Sequence, residues 1–330
     1  MRIATYNVEW FSNLFDDAGA LQDDGAWSGR HGVRRHQQTE ALGIVFTALD
    51  ADAVMIIEAP DSHRRRDGVK ALENFAQKMG LRTTAAIQGF VNQTQQEISL
   101  LYDPKVMTAR HDPQGEPQFD QAYQIDLDVD AALDDVRWSK PPLELAVETR
   151  AGARFRMIGV HAKSKAPYGA RGRDEEMRIA IANRRKQLAQ CIWLRERIED
   201  HLDAGDPLIV LGDFNDGPGL DEYERLFGRS GVEIVIGGED ETQLFDPHAA
   251  VVMQRRMGSM MPTSARFWIK DRWMQTLLDY VMVSPDLRQK AGRWCIWHPM
   301  DEPICAKTPV VRDALLTASD HFPVSVDLDL

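Results

Sequence analysis

Four apolar runs scattered along the chain each end on a carboxylate, an amide or an imidazole. They read Ile3-Ala4-Thr5-Tyr6-Asn7-Val8-Glu9, Val54-Met55-Ile56-Ile57-Glu58, Leu208-Ile209-Val210-Leu211-Gly212-Asp213-Phe214-Asn215 and Ala318-Ser319-Asp320-His321-Phe322-Pro323. Short runs rich in Val, Ile and Leu are the pattern of strands buried on both faces. A strand that finishes in ionisable or amide groups delivers them to one rim of its sheet. Several such strands side by side gather an acidic pocket.

The rest of the chain supports an α/β framework. Strands are predicted at 2–7, 53–58, 83–89, 97–102, 144–149, 154–161, 208–213, 277–284 and 322–329, and helices at 33–49, 68–79 and 174–202. In the last strand Val324, Val326, Leu328 and Leu330 alternate with Ser325, Asp327 and Asp329, which places one face in the core. In the longest helix Met177, Ile181, Leu188 and Ile192 recur at helical spacing, while Arg178, Arg184, Arg185 and Lys186 turn mostly elsewhere. Many strands with flanking helices predict two packed sheets covered outside by helices. Without a linker, repeat or low-complexity tract, residues 1–330 read as one domain, with a Pro-, Gly- and Asp-rich surface insertion at about 112–140.

Charge and cysteine usage set bounds. A net charge of -12 argues against a protein that coats nucleic acid, because such binding rests on Lys and Arg neutralising phosphates. A nuclease with a local basic patch stays open. Asp112, Glu116, Asp120, Asp126, Asp128, Asp130, Asp134 and Asp135 fall in one stretch, which reads as a solvated loop. Lys163, Lys165, Arg171, Arg173, Arg178, Arg184, Arg185 and Lys186 fall in another. Cys191, Cys295 and Cys305 lack CxxC spacing, so neither a disulfide framework nor a zinc site is predicted. No run approaches the length of a membrane span, and Met1-Arg2 leads straight into a strand, so the expectation is a monomer of the reducing cytoplasm.

Spacing within the segments sharpens the chemistry. Asn7 and Glu9 lie two apart, as do Asp213 and Asn215, and residues two apart in extended backbone point to one face. Hard oxygen ligands of this kind suit Mg²⁺ or Mn²⁺, which keep waters and share their shell with substrate phosphate. Asp279, inside the apolar run Leu277 to Val283, needs a partner if buried, and a histidine is the natural one. His161 and His321 are the histidines placed at strand ends; His31, His36, His63, His111, His201, His248 and His298 read as surface or core polar residues. Trp268, Trp273, Trp294 and Trp297 could stack bases, but packing is the simpler reading.

Taken in order, Thr5-x-Asn7, Glu58, Val160-His161, Gly212-Asp213-Phe214-Asn215, Asp279-Tyr280 and Ser319-Asp320-His321 resemble the endonuclease/exonuclease/phosphatase superfamily with its deoxyribonuclease-I-like fold. Each motif alone is weak, but six in one order along almost the whole chain are specific. The resemblance implies a four-layer α/β/β/α sandwich of two mostly antiparallel sheets and divalent-metal-dependent cleavage of phosphate esters. It implies Glu58 as the main metal ligand, with Asn7, Glu9 and Asp320 at or near the metal. Asp213 would activate the attacking water, Asn215 would bond a phosphoryl oxygen, Asp279 would orient His321, and His161 would contact phosphate or assist the leaving group. Two departures stand out: Ile57 where many relatives carry Gln, and Glu9 where some nucleases carry the shorter Asp.

The segment His161-Ala162-Lys163-Ser164-Lys165 resembles the His-x-Lys-Ser-Lys of some bacterial nuclease-like members and tilts the substrate towards DNA or RNA. Lys163, Lys165, Arg171 and Arg173 would then neutralise phosphates beyond the scissile one. The alternative is a phosphodiesterase or phosphatase for a small molecule or lipid headgroup, which suits the acidic balance. A silent binding protein is disfavoured because every expected catalytic position is filled. Calcineurin-like, serine-hydrolase and P-loop chemistry lack their Gly-Asp-x-His, Gly-x-Ser-x-Gly and Gly-Lys-Ser/Thr segments.

Overall fold

The apolar runs form strands where the pattern places them. In the computed structural model, which describes residues 1–126, 133–219, 228–254, 261–269 and 271–330, β1 (Arg2–Asn7) and β2 (Ala53–Ala59) pair in parallel at the centre of a six-stranded sheet. Its remaining strands are β3 (Ala85–Gln88), β4 (Glu97–Tyr102), β14 (Ala291–Ile296) and β15 (Val324–Leu328), in the order β14-β15-β1-β2-β4-β3. The second sheet has the order β13-β10-β9-β8-β5, from β5 (Met107–His111), β8 (Leu143–Thr149), β9 (Arg154–His161), β10 (Leu208–Asp213) and β13 (Asp279–Val283). Each sheet is antiparallel apart from one parallel pair, β1 with β2 and β9 with β10.

The two sheets face each other. A Cβ on Gly159 of β9 would lie 2.5 Å from the Met55 sulfur of β2, so glycine lets these strands approach. On the outer side of the first sheet, Phe46 of α1 (Arg35–Leu49) meets Tyr6 of β1 and Phe75 of α2 (Gly68–Met79), and α8 (Pro309–Ala318) packs on α1. The 31-residue α3 (Arg173–Asp203) lies outside the second sheet with α4 (Gly231–Ile236). The result is a helix–sheet–sheet–helix sandwich.

Helix α3 departs from its apolar pattern. Met177 is exposed and Ile181 and Ile192 are only half-buried, whereas Arg184, Gln187, Gln190, Arg195 and Arg197 are buried. These polar groups serve backbone that the sheets leave unpaired. Gln187 Nε2 donates to the carbonyls of Lys163, Phe214 and Asn215, and Arg195 to those of Val235, Ile236 and Thr242.

In the acidic stretch Glu116, Asp120, Asp126 and Asp135 are exposed, Asp112 is half-buried between Arg110 and Arg156, and apolar residues between the acids anchor the segment; Asp128 and Asp130 lie outside the described residues. Phe119, Val136 and Trp138 are buried, and Phe119 packs on Trp193 of α3 with ring centroids 5.1 Å apart. A two-stranded ribbon of β6 (Tyr123–Ile125) and β7 (Asp134–Val136) stacks Tyr123 on the same Trp193. Arg197 closes the clamp, 2.6 Å from Glu144 and over the Phe119 ring. The segment thereby delivers Lys140 to the end of β9, the central strand of the second sheet.

Candidate active site

The carboxyl ends of the two parallel pairs meet at one rim. His161, Asp213 and Asp279 stand in register on three adjacent strands, Asp213 opposite His161 on one side and opposite Asp279 on the other. Gly212 makes this possible: with φ +140 it passes so close to the Val160 carbonyl that no Cβ would fit. The segment between α8 and β15 then brings His321 into the same corner.

His321 Nδ1 lies 2.8 Å from Asp279 Oδ2, and its Nε2 faces Asp213 Oδ2 at 4.0 Å. The Ser264 hydroxyl donates to Asp279 Oδ2 at 2.7 Å while accepting the Leu278 and Asp279 amides. Asp213 is held by Asn7 Nδ2 at 3.0 Å, by the Asn215 amide N–H at 2.7 Å and by Asn215 Nδ2 at 3.2 Å. Burial pushes the Asp213 carboxyl up to about 7. Burial alone would lower His321, but Asp279 and Asp213 outweigh it and hold the imidazole charged well above its ordinary range.

A second group lies beside this trio. Glu58 sits in a β-bulge, between the Ile57–Ile98 and Ala59–Glu97 pairings, with φ +62. A non-glycine residue in that region carries backbone strain of about 1–3 kcal/mol, and a bulge re-aims its side chain. Glu58 Oε2 accepts the Trp10 amide at 3.4 Å. Burial raises both Glu58 and Glu9, the latter to about 7 with help from Asp320. Asn7 Oδ1 is buried without a hydrogen-bond partner. Three carboxylates that crowd one another beside an unpartnered amide oxygen are a donor set suited to a hard divalent cation. Among the described residues, the group whose ligand atoms lie within 4.8 Å of one another is instead Asp213, Asp279 and His321. His321 is held protonated between two carboxylates and so has no free lone pair to ligate, which suits that trio to proton handling.

Several contributors were not singled out from sequence. Lys140 Nζ lies 3.1 Å from His161 Nε2 and in the field of Glu58 and Asp213. An ammonium has only donors, so His161 Nε2 accepts and the ring proton resides on Nδ1. Burial, with Lys140 and His321 nearby, holds His161 neutral, well below its ordinary range. Ser319 ties the corner together: its hydroxyl donates to the Asn7 carbonyl at 2.8 Å and accepts the Glu9 and His321 amides. Arg30 pairs with Glu9. Ser319 falls inside the closing motif, whereas a lysine before Pro141 carries no distinguishing pattern, so Lys140 had no signal in the sequence.

The predicted basic residues separate. Lys163 is half-buried near Lys140; Lys165 is held by the buried Asp216 carboxylate at 2.5 Å; Arg171 and Arg173 are exposed at the start of α3. The tryptophans divide too. Trp297 is buried and Trp294 half-buried, but Trp268 and Trp273 are exposed on the hairpin of β11 (Ala265–Ile269) and β12 (Arg272–Thr276). That hairpin borders the site, since the Arg266 amide donates to the Asp320 carbonyl at 2.7 Å and Phe267 packs edge-on to His321. Trp10 and Tyr168 are exposed on the same rim, Tyr168 in the field of Asp320, Glu58 and Asp213.

A two-sheet sandwich with a histidine–carboxylate corner beside crowded acids defines a phosphoesterase of the deoxyribonuclease-I-like class. Residues 4–321 match the model of the Endonuclease/Exonuclease/phosphatase family, and the chain belongs to that family, whose members hydrolyse phosphate esters and generally use divalent metals. No match is found among curated proteins. Among solved structures it is similar to a 3′-5′ exonuclease from Neisseria meningitidis, at 15% identity and TM-score 0.53 over 100% of both chains. It is similar to a mannosyl-6-phosphatase of Bacteroides thetaiotaomicron, at 15% identity and TM-score 0.52 over 100% of both chains. A humanized D. rerio TDP2 matches at 9% identity and TM-score 0.51, over 100% of this chain and 99% of the other. At such identities the likeness shows the fold alone. Among the described residues no helix is long and apolar enough to cross a membrane.

Proposed function

We propose that the protein is a divalent-metal-dependent phosphodiesterase acting on nucleic acid, as a single-domain monomer of the cytoplasm. The observation that carries the reading is the juxtaposition at one rim of a charged His321, a carboxylate at Asp213 and the Glu9, Glu58 and Asp320 cluster. In-line attack on a phosphate ester needs a positioned water, neutralised non-bridging oxygens and help for the leaving oxygen. Asp213 takes the proton of the attacking water. His321, oriented by Asp279, donates from Nε2 to a phosphoryl oxygen. Lys140 and His161 stand on the opposite side of Asp213 to receive the phosphate or leaving oxygen. Asn215 Nδ2 bonds the Ala162 carbonyl and Asp213 in this state, so its first service is to fix Asp213; a contact to phosphate requires that donor to be shared.

Glu58, Asn7, Glu9 and Asp320 would hold Mg²⁺ or Mn²⁺, which supplies charge neutralisation at the phosphoryl oxygens. The exposed Trp10, Tyr168, Trp268 and Trp273 around the rim favour nucleic acid, because aromatic faces stack bases without regard to sequence. The net charge of -12 favours the second reading, a small phosphate ester. A substrate panel decides: duplex and single-stranded DNA, RNA, bis(p-nitrophenyl) phosphate and sugar phosphates with Mg²⁺ and Mn²⁺. Polymer cleavage at rates well above the others supports the nucleic-acid reading, and turnover confined to monophosphates overturns it.

A further inference from the structure

The cations near the site divide by partner. Arg30 pairs with Glu9, Lys165 with Asp216 and Arg185 with Asp134. Lys140, Lys163 and Lys186 make no ion pair among the described residues, in a chain whose net charge is -12. They are also tied to one another through their neighbours. Lys186 Nζ donates to the Ser139 hydroxyl at 3.2 Å, next to Lys140. The Lys163 amide donates to Gln190 Oε1 at 2.9 Å, and its carbonyl accepts from Gln187, the residue after Lys186. The end of the anchored segment, the strand end after His161 and the middle of α3 thus bring three half-buried lysines together.

Lys140 has the Glu58 and Asp213 carboxylates in its field, but Lys163 and Lys186 have no carboxylate partner among the described residues. Burial lowers the proton affinity of all three lysines, and repulsion adds to it, from Lys186 on Lys163 and from Lys163 on Lys140. Lys186 also lines a cleft of about 390 Å³ with Asp134, Asp135, Arg137, Ala182 and Arg185.

We infer that Lys163 and Lys186 form a second phosphate subsite, which takes a phosphate one linkage away from the ester held at Lys140 and His161. The inference rests on the phosphodiesterase reading and adds to it: the preferred substrate carries at least two phosphates. It also replaces most of the sequence-derived patch, since Lys165 is neutralised by Asp216 and the partner of Lys163 comes from α3.

Binding to the full chain in excess EDTA tests the subsite apart from turnover. Thymidine 3′,5′-bisphosphate and thymidine 5′-monophosphate are titrated calorimetrically. Charge-assisted hydrogen bonds to the added phosphate predict that wild type binds the bisphosphate about tenfold more tightly. Lys163→Gln with Lys186→Gln should bring that ratio close to one, whereas removing the charge of exposed Lys307 should leave it intact. If the double variant does not fold, Lys186→Gln alone should cut the ratio about threefold. A wild-type ratio near one, or a preference that survives the lysine substitutions, overturns the subsite. A bisphosphate preference in a protein that hydrolyses none of the panel supports the subsite while sinking the phosphodiesterase reading.

Discussion

His321 and Asp279 approach to 2.8 Å although 42 residues separate them, and the Ser264 hydroxyl holds the same Asp279 oxygen. In the proposed mechanism, proton handling in this corner belongs to a chain of groups rather than to one residue. Asp279→Asn and His321→Ala should each lower turnover by roughly 10²–10⁴, the range for positioned acid–base groups. Because they act as a unit, the double variant should be no slower than the worse single one. Kinetics of the four proteins on one substrate check this; losses that multiply would show that the pair does not work together.

The proposed mechanism makes Ser264 a positioning residue for Asp279. Ser264→Ala removes the hydroxyl that donates to Asp279 and leaves the buried Asp279 amide and the half-buried Leu278 amide without their acceptor. Stability should fall by about 1–3 kcal/mol. The pH–rate profile should move as well, since Asp279 holds His321 less firmly. A melt displaced with an unaltered profile would confine Ser264 to a structural role.

Glu58 sets function against stability. Its carboxylate is driven upward by burial, so neutralising it relieves a cost that folding bears. Glu58→Gln should melt at the same temperature or higher, while turnover falls on the order of 10²-fold or more, a few kcal/mol of lost transition-state stabilisation. Unfolding curves and turnover measured on one preparation decide the point, and a variant that is both less stable and fully active contradicts it.

Glu97 gives a pH signature away from the rim. It is fully buried at the head of β4, where burial pushes its carboxyl up to about 7 although Asn92 donates to it from its amide and side chain. The folded state therefore holds this proton more tightly than the unfolded chain. Its contribution favours folding at acid pH and is lost as pH rises from about 4.5, the unfolded value, to about 7. Glu97→Gln cannot titrate, so its stability should decline less than wild type over that interval; parallel curves would remove Glu97 as the cause.

Much of the framework is legible in the residue pattern because β1, β2, β9 and β10 are buried on both faces and need continuous apolar runs. The motif residues at their ends are legible for the same reason: an ionisable group that follows such a run has to lie at a sheet rim. What sequence conceals depends on backbone detail. The bulge at Glu58 comes from one extra residue in a register that Ile57 and Ala59 do not announce. Lys140 reaches His161 because Phe119 and Trp138 anchor a stretch whose composition reads as loop. The hairpin of β11 and β12 carries Arg266, Trp268, Arg272 and Trp273 on half-exposed strands, where the alternation of apolar and polar residues breaks down. Buried arginines and glutamines on α3 likewise conceal its inner face.

Metal dependence separates this site from a metal-free hydrolase. Asn7, Glu9, Glu58 and Asp320 offer only oxygen ligands and crowd their carboxylates, so hydrolysis should require a hard divalent cation. Protein stripped with EDTA should be inactive on every phosphodiester tested, and excess Mg²⁺ or Mn²⁺ should restore turnover in wild type but not in Glu58→Gln. Undiminished hydrolysis in excess EDTA would contradict the account.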